Sequence, residues 1–134
     1  MMLTFFDIHD KSNPQNGVVI RARDDLLNML DSLRDREPFF AELIGENGYK
    51  LTIGIGNMGC VQYSRSDDEL PYLMAVEPAT AKLASDQEFE EFLAGNEPTE
   101  VPTHYLVPFE RVKEIAAYFQ RTGERNPEVS WEEI

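Results

Sequence analysis

The stretch from residue 39 to residue 76 alternates apolar and polar residues, with glycines and one acidic turn between the runs. A period of two is typical of strands that bury one face. It predicts consecutive antiparallel strands at residues 39–44, 49–56, 59–65 and 72–76. The connections carry turn residues, namely Asn47-Gly48, Gly56-Asn57 and the longer acidic turn at residues 66–71. The pattern therefore predicts a β-meander as the centre of the fold.

Two stretches have helical spacing instead, one on each side of the meander. Leu26, Leu30 and Leu33 form the first apolar stripe, which ends before Pro38. The second helix is expected to begin at Pro108 and to end at Gly123, which suits the left-handed position after a helix. Its stripe consists of Val112, Ile115, Ala116 and Phe119. Each stripe is expected to cover one part of the sheet.

The remaining segments are shorter and complete a single domain over residues 1–134. Residues 2–8 and 18–20 are expected to pair as strands, and residues 128–134 to fold back so that the Trp131 indole is buried. Further predicted elements are a helical turn at 80–84 and strands at 87–93 and 100–107. The predicted class is α+β, with an antiparallel sheet of about five to seven strands packed by two main helices.

Residues 54–59 read Gly-Ile-Gly-Asn-Met-Gly, which has the spacing of a dinucleotide-binding fingerprint. That fingerprint requires a helix at its third glycine, whereas residues 60–65 alternate as a strand. The glycines are better explained as turn residues and as bare strand positions against which another element packs closely. No nucleotide site is predicted here.

Other residue types with catalytic or metal-binding chemistry are sparse. Cys60 is the single cysteine, and His9 and His104 are not spaced as metal ligands. We therefore predict no disulfide, no metal, no cofactor and no catalytic residue. No signal peptide or membrane-spanning run is recognisable, so a cytoplasmic location is expected.

The net charge of −13 changes the expected partners. It argues against nucleic acid and anionic membranes, whose phosphates would be repelled, and it permits a basic protein partner. Between residues 66 and 100 there are ten acidic residues and one basic residue, Lys82, which leaves a local net charge of −9. This region is either a solvated face or a surface that meets a basic protein, and Tyr72, Phe92 and Tyr105 could anchor such an interface.

The C-terminal third resembles a known family. Residues 107–110, 116–125 and 129–133, which include Thr122-Gly123-Glu124-Arg125 and Trp131-Glu132-Glu133, resemble the Imm1 immunity proteins of bacterial polymorphic toxin systems. The glycine strand at residues 51–56 and the run at 98–102 are also similar.

The resemblance implies an α+β protein without catalytic activity that binds and neutralises a toxin encoded beside it. Because the family is often paired with nucleic-acid deaminases, it also implies a toxin with a basic substrate groove, which an acidic surface could occlude. Residues that discriminate among toxins should be particular to each immunity protein. We therefore predict that the partner-binding residues are Asp67, Asp68, Glu69, Tyr72, Glu88, Glu90, Glu91, Glu97 and Glu100.

Two other functions remain open at this point. A small hydrolase would use a pair of carboxylates in a concave pocket, with at least one raised carboxyl pKa. A non-catalytic dimerising subunit would expose an edge strand or an apolar patch with a self-complementary two-fold contact.

Overall fold

A computed structural model describes residues 1–77 and 89–134 of the chain. In chain order these residues form β1 (Leu3–Asp7), β2 (Val19–Ile20), α1 (Arg23–Leu33), β3 (Phe39–Gly45), β4 (Tyr49–Ile55), β5 (Met58–Arg65), β6 (Leu73–Val76), β7 (Phe89–Ala94), β8 (Glu97–Pro102), a 3₁₀ turn (Thr103–Tyr105), β9 (Val107–Pro108), α2 (Phe109–Thr122) and β10 (Ser130–Glu133). The predicted helical turn at residues 80–84 and the start of the predicted strand at 87–93 lie outside the described residues.

The strands form one open sheet in the order β10-β6-β5-β4-β3-β1-β2. The predicted meander is confirmed, because β3, β4, β5 and β6 are antiparallel neighbours in sequence order. β2 pairs with β1, as expected. Three further strands join at the margins: β7 bridges β3, β8 pairs with β7, and β9 pairs with β5. The α+β class is therefore confirmed, with ten strands in the described residues rather than five to seven.

Both helices pack on one face of the sheet, which we call the helix face. Leu26, Leu30 and Leu33 of α1 are buried there, and so are Val112, Ile115, Ala116 and Phe119 of α2. Ala41, Leu43, Leu51, Ile53 and Val61 supply the sheet side of this core. Gly123 ends α2 with a φ of +76°, and its N–H donates to the Phe119 carbonyl at 2.7 Å. Both predicted apolar stripes are confirmed.

The opposite side of the sheet, the hairpin face, is partly covered by the β7–β8 hairpin. Phe92 of β7 and Val101 of β8 pack there with Cys60, Met74 and Leu106 in a smaller second core. This packing requires glycine at position 54, because a Cβ atom there would lie 2.6 Å from the Cys60 Sγ atom and 2.9 Å from the Phe92 ring.

On the helix face, α2 packs directly over Gly59. A Cβ atom on that residue would lie 2.6 Å from a Val112 methyl group and 2.7 Å from the Gly54 carbonyl oxygen. Gly54 and Gly59 are thus the bare strand positions that the sequence predicted.

The predicted last strand at residues 100–107 is wrong in extent. The strand β8 already begins at Glu97, because Gly95 and Asn96 both adopt positive φ and form a tight hairpin turn. It ends at Pro102, whose missing N–H cannot continue a ladder, and the 3₁₀ turn follows.

The C-terminal tail folds back, as predicted, and pairs with β6 as strand β10. Trp131 is half-buried rather than fully buried, and its indole Nε1 donates to the Asn126 carbonyl at 3.0 Å. Across residues 1–77 and 89–134, no helix is long and apolar enough to cross a membrane.

Candidate functional site

The β7–β8 hairpin is attached to the main sheet at one point near its tip. Phe39 and Leu93 form a parallel bridge, and the Leu93 N–H donates to the Pro38 carbonyl at 2.9 Å. Phe92 adds an anchor, because it is 1% exposed and its ring packs at a tilt against Phe40, with 5.3 Å between the ring centroids. The interpretation of Phe92 as an interface residue is therefore wrong: its ring is buried within the protein.

The exposed charged side chains of this hairpin are all acidic. Glu90, Glu91, Glu97 and Glu100 are all exposed, and none forms an ion pair with another described residue. Glu91 lies directly opposite Glu100 in the strand register. Opposite residues of antiparallel strands share a face at about 5 Å between Cβ atoms, and like charges there destabilise the pair. The hairpin therefore presents uncompensated negative charge at a cost to its own stability.

The acidic turn between β5 and β6 is different, because bases within the protein neutralise two of its acids. Asp67 pairs with Arg65 at 2.6 Å, and Asp68 pairs with Lys50 at 2.7 Å. The Tyr72 hydroxyl donates to the Asp68 carbonyl oxygen. Glu69 is exposed and has no ion-pair partner among the described residues. Ion pairs therefore stabilise this turn, whereas the acids of the hairpin form no such pairs with described residues.

Lys50 is nearly buried and also pairs with Glu42. Burial lowers the pKa of this ammonium group, but hydrogen bonds to Asp68 and Glu42 outweigh burial and raise the pKa above its ordinary value. Lys50 is therefore charged at neutral pH, and it forms ion pairs with the carboxylates of Glu42 and Asp68.

The structure does not bring the two acidic segments together. The turn at residues 66–72 follows Arg65 at the end of β5, whereas the hairpin packs near Cys60 toward the start of that strand. Arg65 is five positions after Cys60 along the strand, a distance of about 16 Å. Glu88 lies outside the described residues.

A groove of about 440 Å³ lies between the hairpin and the hairpin face of the sheet. Phe40, Met74, Val101 and Tyr105 form its apolar lining, and Thr52, Gln62, Thr99 and Glu100 are its polar lining residues. Sequence reasoning did not find this groove, although it considered Tyr105 as an anchor. The available signal was that Phe40 and Met74 are apolar at strand positions where the alternation places polar residues.

The residues considered for catalysis are not assembled into a reactive site. Burial raises the pKa of the Cys60 thiol to about 12, so the thiol is protonated at neutral pH. His9 Nδ1 accepts the Asn96 N–H at 3.1 Å, and His104 Nε2 lies 2.6 Å from Glu132. Within residues 1–77 and 89–134, no group of His, Cys, Asp and Glu side chains is arranged to hold a metal ion.

In the part of the chain that the structure describes, the carboxyl groups with a shifted pKa are Asp7 and Asp10, and both shifts are opposite to the one that a general acid needs. Burial raises the pKa of Asp7, but hydrogen bonds from Asn13 and the Asp10 backbone, together with Arg36, outweigh burial and lower it overall. Hydrogen bonds from Ser12 lower the pKa of Asp10. Neither group is therefore poised to donate a proton at neutral pH.

The described residues thus form an α+β scaffold in which an acidic hairpin without basic partners lies beside a groove of apolar lining. The chain matches the family described as Immunity protein Imm1 over residues 15–133, and it belongs to that family. No curated protein is significantly similar to this sequence. Family membership supports an immunity function toward a cognate toxin and a non-enzymatic role.

Proposed function

We propose that this protein neutralises a nucleic-acid deaminase toxin by inserting the acidic β7–β8 hairpin into the basic groove that binds the toxin's substrate. The observation that carries the proposal is the group of four exposed carboxylates on one hairpin, which no described base compensates. Family membership supplies the toxin as the partner. The deaminase chemistry and the mode of blocking are the proposed part.

The physical basis is the substrate that such a toxin must accept. An enzyme that acts on a polynucleotide binds its phosphates with lysine and arginine side chains. Glu91 and Glu100 lie side by side across the two strands, so the hairpin presents two carboxylates where adjacent phosphates would bind. A basic groove would relieve the repulsion between them, and this relief would contribute to binding.

The acidic turn at residues 66–72 has a secondary place in this proposal. Asp67 and Asp68 already have cationic partners, so their fields at a distance are partly cancelled. We propose Glu90, Glu91, Glu97 and Glu100 as the principal contacts. Asp67, Asp68, Glu69, Tyr72 and Glu88 are proposed as flanking residues.

Co-expression tests this function in cells. The C-terminal domain encoded by the gene beside this one would be expressed in bacteria with or without the protein. We expect killing without the protein, rescued growth with it, and co-purification of the two chains. The proposal would be contradicted if the toxin domain kills the cells, the protein does not restore growth, and the two chains do not co-purify.

A hairpin variant in the same experiment tests whether the hairpin contacts the toxin, separately from whether the protein gives immunity. Replacing Glu90, Glu91, Glu97 and Glu100 with Gln should abolish rescue while the protein remains folded by circular dichroism. Full rescue by this variant would place the toxin contact elsewhere on the molecule. The toxin type is tested by asking whether the purified toxin domain converts cytosine or adenine in single-stranded DNA or RNA.

A further inference from the structure

The chain has two histidines, and both connect the region of the β7–β8 hairpin to the rest of the protein. His9, in the loop after β1, accepts the N–H of Asn96 on its Nδ1 atom at 3.1 Å. His104, in the 3₁₀ turn after β8, has its Nε2 atom 2.6 Å from a carboxylate oxygen of Glu132 in β10. The first contact lies at the tip of the hairpin, and the second lies just past the end of β8. Two titratable side chains thus hold the element that we propose as the toxin contact.

The contact at the tip joins the hairpin turn to a loop that is itself fixed. The ladder of the hairpin ends with Ala94 opposite Glu97. The Asn96 N–H lies in the turn between them and donates to His9, outside the hairpin. The backbone N–H of His9 in turn donates to the Asp7 carboxylate at 2.9 Å, which fixes the start of the imidazole side chain. The hairpin tip is therefore held from the buried end of β1.

This hydrogen bond requires a neutral imidazole. A backbone N–H can only donate, so the Nδ1 atom of His9 must carry a lone pair and the ring proton must be on Nε2. A protonated imidazole has an N–H on both ring nitrogens and offers no acceptor. Proton uptake would therefore place two donors against each other and break the contact. Imidazole is the side chain that changes its charge between about pH 5 and 8, so the change occurs near neutral pH.

The charged groups around the His9 ring have both signs. Those that line the same cleft, contact His9 or adjoin Asn96 in the chain are Asp7, Asp10, Lys11, Arg36 and Glu97. Arg36 pairs with Asp7 at 2.9 Å. No described carboxylate forms an ion pair with the His9 ring. In this geometry a protonated His9 gains no ion pair in place of the hydrogen bond that it loses.

The contact past the end of β8 responds to acid in the opposite sense. The Glu132 carboxylate accepts from Nε2 of His104 when the ring is neutral, and a positive charge on the ring strengthens the pair. The packing of Phe92 and the bridge between Phe39 and Leu93 do not titrate. Acid should therefore free the turn of the hairpin while the rest of the hairpin stays on the sheet.

We propose that the hydrogen bond between His9 and Asn96 is a pH-sensitive latch on the tip of the β7–β8 hairpin. The neutral imidazole fixes the turn, and the imidazolium releases it. His9 is thus a positioning residue, because a turn that is fixed before contact loses less conformational entropy on binding. The inference deepens the proposed function and rests on it for the link to toxin affinity.

NMR of the free protein tests the latch without any toxin. The Asn96 amide and the His9 ring of ¹⁵N-labelled protein would be followed from pH 8 to pH 5. We expect the Asn96 amide proton, which the hydrogen bond deshields, to move upfield with the same midpoint as the His9 ring. An Asn96 amide that does not respond to pH, or that follows the midpoint of another group, would overturn the proposal.

Three substitutions separate the hydrogen bond from the charge. In His9→Asn the side-chain oxygen can replace Nδ1 as the acceptor and does not titrate, so the Asn96 amide should keep its shift across this range. In His9→Ala the acceptor is missing, and the Asn96 amide should resemble that of the wild type in acid at every pH. His104→Gln is the matched control, because its amide can still donate to Glu132, and its Asn96 amide should titrate like that of the wild type. Titration of the Asn96 amide in His9→Asn would contradict the latch.

The toxin domain from the neighbouring gene tests the link to binding. Between pH 7.5 and pH 5.5, the dissociation constant should rise at least threefold more for the wild type than for His9→Asn, a comparison that cancels the toxin's own pH dependence. If the Asn96 amide titrates with His9 but both proteins lose affinity equally, the link to binding fails and the proposed function stands. If the wild type does not bind the toxin, the proposed function fails, and the NMR titration still decides whether the latch exists.

Discussion

Asp7 anchors the loop between β1 and β2 from inside the protein. Its Oδ1 accepts the N–H groups of His9 at 2.9 Å and Asp10 at 2.8 Å. Its Oδ2 accepts from the Asn13 amide at 3.0 Å and from the Arg36 guanidinium at 2.9 Å. Because every one of these partners is a donor, the site is built for a carboxylate and for no other group of this size.

Replacing Asp7 with Asn should therefore destabilise the protein by about 2–4 kcal/mol at pH 7, because an amide group would face the Asn13 and Arg36 donors. The pKa of Asp7 is lowered from 3.8, so its contribution is complete above that pH and is lost as the pH falls through the folded-state pKa. Urea unfolding of both proteins should thus show a full difference at pH 7 and a smaller one at pH 3. A constant difference across this range would contradict the assignment.

Gly59 allows α2 to pack closely on the sheet, because it has no Cβ atom. Gly59→Ala should cost about 1–3 kcal/mol, since the new methyl group would meet both a Val112 methyl group and the Gly54 carbonyl oxygen. Thermal unfolding would measure the loss. Val112→Ala in the same protein should recover part of it, and the absence of any recovery would show that the backbone contact dominates.

Among the elements, the β7–β8 hairpin and the β5–β6 turn have the same acidic character in sequence and different roles in the structure. Two of the turn's three acids, Asp67 and Asp68, are paired with Arg65 and Lys50. The hairpin has no such bases, and its Glu91 and Glu100 repel each other. An element that keeps two repelling charges side by side on its surface is a candidate for binding a partner whose opposite charge removes the repulsion.

The hairpin should therefore become more stable when its charge is reduced. Glu91→Gln together with Glu100→Gln should raise the free energy of unfolding by about 0.2–1 kcal/mol, because the opposed like charges are removed. Chemical denaturation at low salt would measure the gain, which should shrink at high salt. A loss of stability would mean that these carboxylates have partners that support the fold.

The turn should respond in the opposite way. Asp68→Asn should lower stability by about 0.5–1 kcal/mol, because Lys50 loses one of its two carboxylate partners at an exposed site. Its effect on toxin affinity should stay below threefold if the hairpin is the principal contact. Denaturation and calorimetric titration on the same variant would separate the two effects, and a tenfold loss of affinity would move the interface toward the turn.

The sequence predicts the elements, but it does not show which of the acidic residues are neutralised in the folded chain. Strand alternation and helical stripes follow from local periodicity, so the meander and both helices were found close to their true bounds. The extent of β8 was missed because the positive-φ turn at Gly95 and Asn96 is shorter than the sequence indicated. The pairings of Glu91 with Glu100 and of Lys50 with Asp68 join distant residues, so only the folded chain distinguishes a neutralised acid from a free one.

For the whole molecule, the net charge of −13 would act before any contact forms. A negative field attracts a basic partner and raises the association rate constant toward about 10⁸ M⁻¹s⁻¹ or more at low salt. Stopped-flow association with the toxin domain should therefore slow by at least tenfold between 20 mM and 500 mM salt, while dissociation changes much less. Association that is independent of salt would contradict the steering role of this charge.

The most direct test of the account is the dissociation constant of the purified complex for two variants with the same change in net charge. One carries Glu91→Gln and Glu100→Gln in the hairpin. The control carries Glu124→Gln and Glu128→Gln, two exposed acids in the segment between α2 and β10. Calorimetric titration with the toxin domain at low salt should show at least tenfold weaker binding for the hairpin variant and less than threefold for the control. Equal effects of the two variants, or no effect of the hairpin variant, would contradict a docking site on the β7–β8 hairpin.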